Sequence, residues 1–248
     1  MAKTYRVPVI RLLVLVLGVL IFAGTSQAQG RPPISEQLAK TYGLDSFSQI
    51  DAIRYTFNLD LPALKVKISR TWTWEPKTGR VPYESKDKEG KAVKVTYLRS
   101  EVNSQPANVK DEIEPGFVND QYWLMFPFHQ FQDGGAKVED AGMAKLPIGK
   151  GTGEKVVVSY GSELGGYTPG DTWTLFLGPD KRVKEFIYHR GGGKKPTFVI
   201  TTWAGYVKAG PLLVATDHRG TADGKPARIF FSDVAVKLAG SNDWMNAK

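Results

Sequence analysis

The chain has 248 residues, with 33 Lys and Arg, 25 Asp and Glu and no cysteine, and a formal charge of +8. The missing cysteines exclude a disulfide framework, a thiolate metal site, a cysteine nucleophile and self-lipidation at a cysteine. The charge points to an acidic partner less than it suggests, because part of it sits in the first 28 residues.

Met1–Ala28 carries Lys3, Arg6 and Arg11 and no acid, then an apolar run over Leu12–Ala23, then Thr25-Ser26-Gln27-Ala28. A basic start, a short apolar core and a small-residue exit predict a secretory signal peptide over residues 1–28. The run falls short of the about 20 apolar residues of a membrane span; an uncleaved anchor is the alternative. Without this segment 30 basic residues face 25 acidic ones. The remainder suffices for one sizeable core, and an exported chain without disulfides suits a periplasmic location.

Residues 29–33 read as a linker. Ile34, Leu38 and Tyr42 then recur at helical spacing, with Gly43 placed to stop a short amphipathic helix. Strict alternation follows: Ile53, Tyr55, Phe57, Leu59 and Leu61, then Val66, Ile68, Arg70, Trp72 and Trp74, each against a polar opposite set. Period two predicts half-buried antiparallel strands. Turns at Lys77-Thr78-Gly79 and Asp87–Lys91 add strands at Arg80–Ser85 and Val93–Tyr97, which makes a four-stranded meander. Ser104–Glu114 reads as a loop. Pro115–Phe126 reads as a helix, apolar nearly all round towards its end, with Pro127 ending it. Gly134–Gly153 has loop composition. Six more strands are predicted, at Lys155–Tyr160, Asp171–Leu177, Arg182–His189, Thr197–Trp203, Leu212–Thr216 and Ala227–Val236, punctuated by turns such as Gly165–Gly170 and Gly191–Lys195. A single domain spans 34–240, with a C-terminal tail over 241–248.

Motifs for chemistry are few. His129, His189 and His218 share no ligand spacing, so no metal and no cofactor is expected. His189 or His218, with Asp217, would serve a hydrolase only if those side chains came within hydrogen-bond reach. Gly149–Lys155 looks like a phosphate loop but leads into a strand. Lys65, Lys67 and Lys94 alternate with apolar residues, as on the solvated face of a sheet, which argues against nucleic acid.

Aromatic loading is the informative feature, with 6 Trp, 10 Tyr and 12 Phe. They fall on one face of successive strands, and a broad apolar face must be covered by a sheet, a helix or a ligand. Sheet wrapped around the apolar helix, with room for an acyl chain, uses all the parts; a core filled by side chains is the other solution. Arg70 interrupts the inner face. It would hold a head group, or bond the carbonyls of a lid, or reach the rim and water.

This order of elements resembles the periplasmic lipoprotein-carrier superfamily, the LolA-like or lipoprotein-localisation fold. The likeness covers nearly all of Ile34–Val236, with local echoes at Ile34–Leu61 and in Leu212–Val236, which closes on Arg228-Ile229-Phe230-Phe231-Ser232-Asp233-Val234. Thr71–Gly79 and the Val118–Phe128 helix look more like an uncharacterised branch. The resemblance implies an incomplete antiparallel barrel closed by helices around acyl chains, and no functional residue is transferred from it. The expected fold is mainly β: one large antiparallel sheet curved into a half-barrel of about 10–11 strands, with the N-terminal helix and the internal apolar helix covering the concave face. The expected function is non-enzymatic binding of a lipid or acyl-chain ligand in the periplasm, with only transient membrane contact. The cavity residues would be Tyr55, Phe57, Trp72, Trp74, Trp123, Met125, Phe126 and Trp173, with Arg70 as the polar one. A filled-core scaffold that binds an envelope protein partner is the second reading.

Overall fold

The computed structural model describes residues 30–87, 89–162, 169–191 and 197–248. The predicted secretory signal lies outside them, as do most of the two turns predicted at 165–170 and 191–195. Helix α1 (Pro33–Thr41) precedes β1 (Ile50–Leu61), β2 (Val66–Trp74), β3 (Arg80–Lys86) and β4 (Ala92–Leu98). Short helical turns at Arg99–Ser104 and Val109–Ile113 then lead into α2 (Glu114–Gln132). After it come β5 (Ala136–Lys145), β6 (Thr152–Tyr160), β7 (Thr172–Leu177), β8 (Val183–His189) and β9 (Phe198–Thr202). The chain closes with β10 (Ala204–Ala209), β11 (Leu212–Ala222), β12 (Lys225–Leu238) and β13 (Trp244–Asn246).

The strands form one antiparallel sheet of 13, in the order β4-β3-β2-β1-β12-β11-β9-β8-β7-β6-β5, with β10 on β11 and β13 on β12. Strands β4 and β5 do not pair, so among the described residues the sheet is open. Helix α2 nevertheless touches both halves: Glu114 at its start accepts from Tyr97 of β4 at 2.6 Å, and Asp133 after its end accepts from Tyr160 of β6 at 3.0 Å. Nine strand-to-strand steps separate β4 from β6, about 43 Å on a flat sheet. The helix is only about 28 Å long. Curling the sheet around the helix brings both strands within reach of it, which is the expected half-barrel with a helix on its inner face.

Alternation carries the outer face as well as the core. Tyr55, Phe57 and Trp72 are buried, while Lys67 and Lys94 stand exposed, 3.8 Å from Asp60 and 3.1 Å from Glu84. Both pairs lie directly across neighbouring strands, so these lysines answer to acids of the same sheet. Gly43 sits at φ 104° and stops α1 as predicted, and the Tyr42 carbonyl is freed to accept from Leu213 N at 3.0 Å.

Three expectations change. First, Ser104–Glu114 is no loop, because its second half winds directly into α2. Second, Pro127 lies inside α2, and the helix continues to Gln132. A proline deprives the carbonyl four residues earlier of its donor; here that is Trp123, whose carbonyl faces the buried imidazole of His218 on β11. Third, the stretch 134–153 contains β5 and 204–209 forms β10, while the tail contributes β13. β5 is an edge strand, mostly exposed, with a bulge between Asp140 and Met143 and Gly142 at φ 67°. With one neighbour and little burial, it leaves no alternation to read.

The rotation of α2 is set by Asp120, which is 0% exposed. Arg70 donates to both its oxygens, Nε at 2.8 Å and Nη2 at 2.6 Å, and Trp72 Nε1 adds a bond at 2.8 Å. Asn119 donates at 3.0 Å. Removing one partner of such a pair leaves a buried charge. Arg70→Met is therefore expected to lower unfolding free energy by about 3 kcal/mol, and adding Asp120→Leu should return at least half of it. Urea unfolding of the two variants measures this; a loss below about 1 kcal/mol for Arg70→Met would contradict the assignment.

Candidate functional site

A cleft of about 690 Å³ lies between α2 and the sheet, within the usual range for small-molecule sites. From the helix it is lined by Pro115, Val118, Asn119, Tyr122 and Trp123. These fall at i, i+3, i+4, i+7 and i+8 and so occupy one helical face. The opposite face carries Phe117 and Asp120, both committed to Trp72. The sheet side is apolar at Phe57, Leu59, Val199, Ala222, Ala227 and Ile229.

One end of the cleft is polar. Asp171 and Trp173 of the β7 segment share a face, and so do Tyr188 and Arg190 of the β8 segment; Trp173 pairs with Tyr188. The Asp171 carboxylate accepts from Tyr188 Oη at 2.9 Å and from Gly191 N at 2.8 Å. Gly191 can come this close only without a side chain, since a Cβ there would lie 2.1 Å from the Gly170 carbonyl carbon. Burial first, then the neighbouring Asp171 charge, pushes the Tyr188 hydroxyl up from its ordinary value, so it stays a neutral donor.

Of the eight predicted cavity residues, Phe57, Trp123 and Trp173 line the cleft. Tyr55 lies against Phe231 with a ring separation of 5.8 Å, and Trp72 lies between Tyr83 and Phe117 at 4.4 and 5.5 Å. Trp74 packs on Phe47 and Phe117, Phe126 stacks on Trp173 at 4.2 Å, and Met125 is buried in the core. Arg70 is turned to Asp120 and stands 5.3 Å over the Phe57 ring; its donors serve the helix. Tyr188, Asp171 and Arg190 are not among the predicted cavity residues. Carrying the inner-face parity two residues back from Trp173, and two and four residues on from Phe186, reaches them.

The histidines are not assembled for hydrolysis. His189 stacks on Phe198 at 4.4 Å, next to the end of β9 opposite the one His218 adjoins. Asp217 follows the other face of β11 and is held by Arg219 and Arg228, each at 2.7 Å. His129 stacks on Tyr122 at 4.1 Å and meets Asp133 at 3.1 Å. Burial would raise the Asp133 carboxyl, but bonds from His129, Tyr122 and Tyr160 outweigh it and hold it below the usual range. Among the described residues no three His, Asp or Glu side chains converge as a metal would need, and no helix is long and apolar enough to cross a membrane.

No protein-family model and no curated protein matches the sequence. Solved structures to which the chain is similar include a DUF1329 family protein from Desulfovibrio piger, 9% identical over 84% of this chain and 94% of that one, with a TM-score of 0.47. A LolA superfamily protein from Nitrosomonas europaea is 8% identical over 81% and 90%, also at 0.47. The Mycobacterium tuberculosis lipoprotein LppX is 8% identical over 85% and 97%, at 0.30.

His218 supplies a pH prediction. Its ring is 0% exposed among Trp203, Phe186 and Phe231. Burial lowers its pKa from 6.5 to about 4, against the pull of the Thr202 and Trp123 carbonyls. The unfolded chain thus takes up a proton that the folded one refuses, and stability falls as pH drops from about 6.5 towards 4. The loss from this group is roughly 3 kcal/mol at about 1.4 per unit. His218→Phe should flatten that limb of a stability–pH curve measured by denaturant unfolding; an unchanged slope would contradict the assignment.

Proposed function

We propose that the protein is a periplasmic carrier that holds an apolar or lipid-like ligand, such as an acyl chain, between its curved sheet and α2. The observation that carries this reading is the cleft itself. It is a largely apolar trough bounded by Val118, Trp123, Trp173 and Ile229, with Asp171, Tyr188 and Arg190 together at one end. Each methylene transferred from water into such a trough gains about 0.8 kcal/mol, so a chain of a dozen carbons supplies ample driving force. The rigid aromatic packing around Trp123 and Trp173 keeps the trough formed before a ligand arrives, which lowers the ordering cost of binding. Export through the N-terminal segment, transient contact with a membrane and hand-over to an envelope protein belong to the same reading.

Trp123 is a poor probe of this proposal, because its rings also meet Trp173, Phe186 and Tyr188 within 5.4 Å. Truncating it would cost about 3–5 kcal/mol of fold as well. Ala222, half-buried on the sheet side of the cleft, is better placed. Ala222→Phe should fill the trough and weaken binding of a fluorescent apolar dye at least about tenfold, with the unfolding midpoint little changed. Mass spectrometry of the purified full-length protein should show co-purifying lipid. Absence of both lipid and dye binding would overturn the carrier reading in favour of a filled-core scaffold.

A further inference from the structure

The polar end of the cleft holds donors without partners. Asp171 is its only carboxylate among the described lining residues, and each of its oxygens already accepts one bond, from Tyr188 and from the Gly191 amide. Two donors on the same wall remain. Trp173 is 2% exposed, and its indole N–H has no hydrogen-bond partner. Arg190 lines the cleft, two residues along from Tyr188 on the same face, and its guanidinium enters no ion pair or side-chain hydrogen bond among the described residues. Arg99, by contrast, pairs with Glu114 at 2.9 Å, and Arg228 with Asp217 at 2.7 Å. Buried donors are normally satisfied, and an orphan at the wall of a cavity marks a bond that a guest can complete.

We infer that the ligand is an amphiphile with a negatively charged, acceptor-rich head, of the class of a long-chain carboxylate, bound with its head between Trp173 and Arg190 and its chain along α2. The inference rests on the carrier reading and adds the head group to it. An indole N–H and a guanidinium both donate and cannot accept, so these two groups give nothing to a cationic head, and the Arg190 charge repels one. The head lies at the Arg190 end because the sheet side of the cleft, at Phe57, Leu59, Val199, Ala222, Ala227 and Ile229, offers it only carbon. Arg190 is exposed, so its share is a modest charge-assisted bond made at the rim. Trp173 supplies the buried, uncharged bond that any carbonyl oxygen can take.

Binding of oleate, methyl oleate and oleylamine to the full-length protein, by displacement of a fluorescent apolar dye, tests this. Oleate should bind most tightly and oleylamine at least about tenfold more weakly. Arg190→Gln should weaken oleate about five- to tenfold and leave methyl oleate unchanged. Trp173→Phe should weaken both acceptor ligands by a similar factor while the dye itself still binds, which shows that the fold and trough survive. Equal affinity for oleate and oleylamine, or an Arg190→Gln variant that binds oleate as before, would overturn the head-group assignment and leave the carrier reading standing. Failure of all three ligands and the dye to bind would remove the carrier reading itself.

Discussion

Everything in this fold turns on burying a helix that is apolar on nearly every side. Such a helix gains by burial but has no preferred rotation from hydrophobicity alone, so its orientation must come from polar contacts. Asp120 provides the central one. Its carboxylate is out of water, and burial lifts its pKa above the ordinary value even though Arg70, Trp72 and Asn119 all favour its charged form. The pair with Arg70 is therefore a means of orientation more than a source of net stability, since desolvation offsets much of the Coulomb gain. Glu114 with Tyr97, Gln130 with Ser35 at 2.6 Å, and Asp133 with Tyr160 repeat the device along the helix.

With α2 held in that rotation, its two long faces take different tasks. The face that includes Phe117 and Asp120 closes against β2, and its rings pack tightly with Trp72 and Trp74. The face from Pro115 to Trp123 looks across the cleft. One chain segment thus contributes both a filled core and a wall of the trough. Towards β2 the helix meets a packed interior, and on its other side it borders open space.

Pro127 shows how tertiary structure reverses a local rule. Alone, a proline after an apolar run ends a helix. Here the carbonyl it strands belongs to Trp123, and a buried His218 ninety-five positions further along the chain faces it. The same distance in sequence explains why the helix end was misread: no window around Pro127 contains His218. Strand β5 escaped for a different reason, because an edge strand exposed on most of its length has no buried face to impose alternation.

The sequence by itself determined the strands that have one wet and one dry face. Strand β2 runs over Val66–Trp74, as its alternation predicts, and Gly43 ends α1 because only its left-handed backbone suits that turn. It also determined that Tyr55, Phe57 and Trp72 would gather on one face, since they recur at period two, whereas Phe198 on β9 stands 44% exposed. Which of those rings line space and which fill it was decided only in three dimensions. Phe57 and Trp72 are two inward residues on adjacent strands, yet the first borders the cleft and the second is sealed by Tyr83, Phe117 and Asp120. The difference is the rotation of α2, and that rotation comes from a pair of charges fifty residues apart in the chain.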